Sequence, residues 1–168
     1  KKAEGFDARS PQAQALKALP ASLAEQAPAE AISTRPFGQL KGRLTWPVNG
    51  KVIARYGDSR KLGQLTWQGI MIKSAIGKEI RSAAAGRVVF SDWLRGFGLL
   101  LIIDHGDKYM TLYGNNQSLL KEVGDTVTAG ELVALSGEQG VKQYAGLYFE
   151  LRHQGNPTDP VKWLGKRS

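Results

Sequence analysis

The sequence predicts an all-β fold of antiparallel sheets, and three observations carry that expectation. From Leu44 onward, short β-rich runs are broken by glycine, first at Gly50, Gly57, Gly69, Gly77 and Gly86 and later at Gly106, Gly114, Gly124, Gly130 and Gly137. Many strands joined by tight turns leave that signature. Residues 99–103, LLLII, form a continuous apolar run, as expected of a strand covered on both faces. Residues 123–136, VGDTVTAGELVALS, hold one turn at Gly124 and Asp125 and another at Ala129 and Gly130 before a further apolar strand.

The regions follow in chain order. Residues 1–36 are rich in Ala, Pro, Glu and Gln, and Phe6 is their single aromatic. They cannot bury a core of their own and read as a partly helical or disordered appendage. Ser10 as N-cap, Pro11 at the first helical position and Leu16 and Leu19 at helical spacing predict a short helix that Pro20 ends. With Leu23 these leucines offer an apolar face that could plug a groove in the domain. Residues 37–168 are the domain, long enough for one hydrophobic core.

Composition narrows the function classes. Hydrophobic residues at 42% and charged residues at 23% are those of a globular chain. No apolar run approaches the roughly 20 residues needed to cross a bilayer. Lys1 opens a polar stretch without the apolar core of a signal peptide. The absence of cysteine excludes disulfides and thiolate chemistry. A net charge of +8 favours an anionic partner or surface. The basic residues are dispersed, so nucleic acid is not the expected partner.

Several phrases carry resemblances. VGDTVTAGELVALSG at 123–137 is similar to a phrase of biotinyl and lipoyl carrier domains, but the candidate hairpin at 82–87, SAAAGR, lacks the lysine that carries their cofactor. WPVNGKVIARYG at 46–57, AAAGRVV at 83–89, IIDHGDKYMTLYG at 102–114, the same 123–137 phrase and LYFELRHQG with NPTDP at 147–160 together resemble the lysostaphin/LytM-type zinc metallopeptidases, which cleave peptide cross-links of bacterial cell walls. The resemblance implies the LytM, or duplicated hybrid motif, fold of antiparallel sheets around a central groove.

In that family an HxxxD motif and the last histidine of an HxH motif hold zinc, and two further histidines assist catalysis. At the corresponding positions this sequence has Trp67 and Met71, then Tyr148, while Gly146 and Asn115 stand where the assisting histidines would be. Catalytic zinc takes three ligands from His, Asp, Glu or Cys and activates water at an open fourth position. Trp and Met offer neither oxygen nor imidazole nitrogen, and neutral Tyr is a poor ligand. The expectation is a degenerate peptidase with no catalytic residues, no metal and no cofactor. The two histidines, His105 and His153, are expected to be structural and superficial respectively.

What remains is a groove. Along residues 146–152, Leu147, Phe149 and Leu151 should face the core, and Tyr148, Glu150 and Arg152 the opposite, solvent side. Trp67, Met71, Tyr113, Tyr148 and Arg152 then floor the cleft, residue types enriched at protein interfaces. Residues 92–120 and 146–165 resemble the EnvC-type murein hydrolase activators of Gram-negative bacteria. That resemblance implies a periplasmic protein without enzymatic activity that activates N-acetylmuramoyl-L-alanine amidases in septal cell-wall splitting during cell division. It also implies a partner-binding groove of Gln68, Met71, Phe97, Leu100, Tyr113, Tyr148 and Arg152. Relatives dock on a membrane complex of the division machinery through a coiled coil that has no heptad counterpart here. The competing readings are a peptidoglycan-binding module and a residual LytM endopeptidase.

Overall fold

The computed structural model describes residues 36–59, 66–138 and 145–166. The expected helix with Leu16, Leu19 and Leu23, and the plug built on it, lie outside the described residues. Among the described ones, ten strands form a single sheet: β1 (Val52–Ala54), β2 (Ile70–Lys73), β3 (Glu79–Arg81), β4 (Gly86–Leu94), β5 (Gly98–Gly106), β6 (Tyr109–Leu119), β7 (Thr126–Val127), β8 (Leu132–Ser136), β9 (Gly146–His153) and β10 (Asn156–Thr158). The main order is β1-β2-β9-β6-β5-β4-β7, every pairing is antiparallel, and β8 joins both β3 and β6.

The apolar run at 99–103 lies within β5, whose residues from Leu100 to Ile103 are all buried. The turns expected at 124–125 and 129–130 bracket β7 and lead into β8. Residues 82–85 do not form the tip of a hairpin. They are a mostly buried crossover from β3, which pairs with β8, to β4, which pairs with β5 and β7.

The sheet bends because β6 serves two neighbours. From Tyr109 to Gly114 it pairs with β9, and from Asn116 to Leu119 with β8. Asn115 is the corner, at φ 71°, a left-handed conformation that asparagine tolerates better than most residues. Its side-chain amide donates to the Gly146 carbonyl at 3.0 Å and to the Gly137 carbonyl at 3.2 Å. One side chain thus ties the bend of β6 to the start of β9.

Two apolar clusters cover the two faces of this sheet. The main core gathers Ile70, Ile72, Ile80, Leu101, Ile103, Tyr113, Leu147, Phe149 and Leu151, capped by Phe37, Leu44, Trp163 and Leu164. Phe37, in a short 3₁₀ turn (Phe37–Leu40), stacks on His105 at 4.8 Å and lies 5.4 Å from the Trp163 ring. The second cluster holds Trp67, Met71, Phe97, Leu100, Ile102, Leu112 and Tyr148. Leu147, Phe149 and Leu151 face inward as expected from the period of two.

A buried hydrogen-bonded chain pins the 82–85 crossover to the core. His105 Nδ1 meets the Ala85 carbonyl at 2.7 Å and Nε2 meets Thr111 Oγ1 at 2.7 Å. Thr111 Oγ1 lies 2.7 Å from the Tyr113 hydroxyl, which accepts from the Ala83 amide at 3.0 Å. His105 is therefore structural. His153 is half-buried and stacked on Tyr109 at 3.9 Å, not superficial.

Phe149→Ala should cost about 3 to 5 kcal/mol through the cavity it leaves, read as a lowered denaturant midpoint with unchanged slope. Burial lowers the His105 pKa from 6.5 to about 4, against the raising effect of the Ala85 carbonyl. Protonation is thus easier in the unfolded chain. The contribution of neutral His105 is complete above about pH 6.5 and is lost as pH falls toward 4, by about 3 kcal/mol in all. Replacing His105 with Gln should flatten that limb of the stability–pH curve in urea titrations, and an unchanged curve would refute the assignment.

Candidate functional site

The site is assembled by the β2–β9 pairing, which sets Met71 directly opposite Tyr148 and Ile70 opposite Phe149. Just before β2, Trp67 is fixed by its backbone, donating to Asp58 O at 3.0 Å and accepting from Gly57 N at 2.8 Å. Its ring lies 6.1 Å from that of Tyr148, and Phe97 flanks Tyr148 at 6.1 Å from the β4–β5 turn. Gly69 lets this segment lie against β9, since a Cβ there would stand 2.4 Å from the Phe149 carbonyl oxygen and 2.7 Å from Glu150 Cγ. Trp67, Met71 and Tyr148 are brought together, and Asn115 and Gly146 are joined by their hydrogen bond beside them. The five positions noted in the sequence occupy one place.

Polar residues extend the same face along β9. Glu150 is fully buried, with Oε2 accepting from the Tyr148 hydroxyl at 2.6 Å and Oε1 from Arg152 Nε at 2.6 Å. Burial opposes the charge on Arg152, but the charge and hydrogen bond of Glu150 outweigh it and hold its pKa above the ordinary value. Arg152 sits opposite Met110, which sits opposite Asp104 on β5. Burial pushes the Asp104 carboxyl up to about 6, while its bond from the Gly106 amide pulls down.

Two expectations are corrected. Tyr113 does not line the groove face. It pairs with Phe149, packs on that ring at 5.3 Å and belongs to the main core, so Leu112 and Gly114 take the groove-face positions of β6. The parity was misjudged because the turn of β6 at Asn115 breaks the alternation. Nor is the face solvent-side: Met71, Leu100 and Tyr148 are 0% exposed, Phe97 1% and Arg152 4%. Tyr148 and Arg152 satisfy each other's needs through Glu150, and the aromatic rings close around Tyr148. Gln68 is half-buried at the edge. The sequence reading overlooked Glu150 as the link, although its spacing of two from Tyr148 and from Arg152 was the signal.

Zinc does not fit these side chains. Trp67 offers no ligand atom, Met71 offers only a thioether sulfur in place of a carboxylate, and the Tyr148 hydroxyl is turned into its bond with Glu150. No group of three or more His, Cys, Asp or Glu that could hold a metal exists among the described residues.

Residues 65–160 match peptidase family M23. The chain belongs to that family. Within the M23 relatives, the murein hydrolase activator EnvC of Escherichia coli K12 is 43% identical over 133 residues, 79% of this chain and 32% of the relative. The murein hydrolase activator NlpD of the same organism is 37% identical over 73% of this chain and 31% of its own length. A lipoprotein NlpD/LppB homolog of Pseudomonas aeruginosa is 36% identical over 77% of this chain and 42% of its own. The chain thus spans about a third of the length of EnvC and NlpD. A zinc-containing peptidase from Vibrio cholerae shares the fold at TM-score 0.67 and 23% identity, over 73% of this chain and 40% of that one. The catalytic domain of lysostaphin from Staphylococcus simulans does so at 0.57 and 22%, over 67% and 87%. EnvC and NlpD are named murein hydrolase activators, while the fold is shared with peptidases.

Arg152→Ala should destabilise by about 3 to 5 kcal/mol, because it strands the Glu150 carboxylate in the interior. The double change to Glu150→Leu and Arg152→Met should cost clearly less than the single one. Thermal melts decide it: additive losses would show that the pair is not a unit.

Proposed function

We propose that this M23 domain is a non-catalytic activator of cell-wall N-acetylmuramoyl-L-alanine amidases, acting in the periplasm to promote septal peptidoglycan splitting. The observation that carries the proposal is the convergence of Trp67, Met71 and Tyr148 where the peptidase resemblance puts zinc ligands, in a chain whose relatives are named murein hydrolase activators. The partner-binding surface is the groove face with Gln68, Met71, Phe97, Leu100, Tyr148 and Arg152. Its side chains are buried, so a partner reaches them as that face opens. Tyr113 supports it from beneath through Phe149 and the 82–85 crossover.

A helix is the partner shape that suits this face, with apolar side chains against Tyr148 and Leu100. No helix of the described residues is long and apolar enough to cross a membrane.

The test is dye release from labelled peptidoglycan by a purified amidase of this class. The chain should raise release by the amidase and cause none alone. Gln68→Arg, at the rim, should raise the half-maximal concentration by about tenfold, roughly 1.4 kcal/mol, with an unchanged melting temperature. Release by the chain alone would establish a residual endopeptidase instead. Co-sedimentation with purified sacculi, without stimulation of any amidase, would establish a wall-binding module.

A further inference from the structure

Away from the groove face, the main core is overlaid by a concavity of about 880 Å³. One wall is the segment around Arg43 and Thr45 together with the C-terminal Gly165 and Lys166; the other is the 77–81 stretch with Lys78. The first wall is zipped by a parallel bridge between Leu44 and Leu164 and by the Gly165 amide donating to Leu44 O at 2.8 Å. The walls are linked through Arg81 N donating to Pro47 O at 2.8 Å. Trp46 forms part of the lining, its indole Nε1 donating to Gly165 O at 2.7 Å. No lining residue belongs to the second apolar cluster.

The charges here are unbalanced. Glu79 is the single acid in the lining, and it is engaged by Arg81, which also donates to Gly130 O. Arg43, Lys78 and Lys166 are exposed and take part in none of the ion pairs among the described residues. Arg43 and Lys166 stand on one wall and Lys78 on the other, so the cations are divided across a space far larger than one small anion needs. Like charges held around a concavity raise the local concentration of anions. A volume of about 300 to 1,000 Å³ is that of a small-molecule binding cleft.

We propose that this concavity is a second binding site, for the carboxylate-bearing stem peptides of the cell-wall glycan. A stem peptide is extended and carries several carboxylates, so it can span both walls, with Arg43 and Lys166 at one end and Lys78 at the other. The site would hold the activator against murein while its opposite face is left to the amidase. It goes beyond the amidase reading and stands or falls separately, because the two faces share no residue.

The probe is the disaccharide-tetrapeptide released from peptidoglycan, titrated into the full chain while the Trp46 indole N–H resonance is followed. The resonance should shift saturably, and the apparent affinity should fall as ionic strength rises. Arg43→Glu together with Lys78→Glu should weaken binding by about tenfold or more, with the melting temperature and amidase stimulation on soluble fragments unchanged. The same peptide with its carboxyls amidated should not bind. Equal binding of the amidated peptide, a silent indole resonance, or full affinity in the double variant would each overturn the proposal. So would anionic phospholipid vesicles shifting the indole as effectively as the peptide, which would make the concavity a lipid-facing surface.

Discussion

Glu150 sits fully buried in the middle of a strand that is covered on both faces, and a carboxylate in that position is tolerable only because two neighbours two residues away complete its hydrogen bonding. An isolated charge transferred from water to a protein interior costs several kcal/mol even after relaxation. Tyr148 and Arg152 therefore have fixed conformations, and so does everything that packs on them. The Trp67 and Phe97 rings take their places against Tyr148, and Gly69 must stay side-chain-free to let the incoming segment pass over Glu150. The groove face is a consequence of satisfying one buried acid.

The opposite face of the same strand shows why the sheet can hold such a site. Leu147, Phe149 and Leu151 bury into the main core, and the ring of Tyr113 meets Phe149 while its hydroxyl reaches the 82–85 crossover. β9 is thus anchored from below by apolar contact and from its N-terminal end by the Asn115 amide on the Gly146 carbonyl. A peptidase of this fold needs that rigidity to hold ligand atoms on a metal.

Much of this was legible in the sequence. The period of two in residues 146–152 placed Leu147, Phe149 and Leu151 correctly, and the turn residues at 124–125 and 129–130 located β7 and β8. The β2–β9 pairing sets Met71 opposite Tyr148. What failed was parity near Tyr113 and exposure along the groove face. Parity failed because a left-handed residue at 115 and a bulge between Asn116 and Ser118 turn β6 out of simple alternation, and nothing local in YGNN announces a bulge. Exposure failed because a two-colour pattern assumes one wet face. β9 has a second apolar cluster on its other side, and a Tyr–Glu–Arg spacing of two each is as suited to a closed internal network as to a surface.

An uncharged cluster where the peptidase resemblance puts zinc ligands has its own electrostatic character. A zinc centre held by two histidines and an aspartate would carry net positive charge. Here Trp67, Met71 and Tyr148 are uncharged, and the Glu150 carboxylate is neutralised within the strand by Arg152. The face therefore presents no net charge to attract an anionic wall polymer, and its apolar, aromatic character favours a protein surface. Arg43, Lys78 and Lys166, which take part in none of the ion pairs among the described residues, lie elsewhere, around the concavity over the main core. Recognition of a neutral apolar partner and attraction of a polyanion are incompatible demands on a single patch, and the proposed amidase face and the proposed stem-peptide site keep them apart.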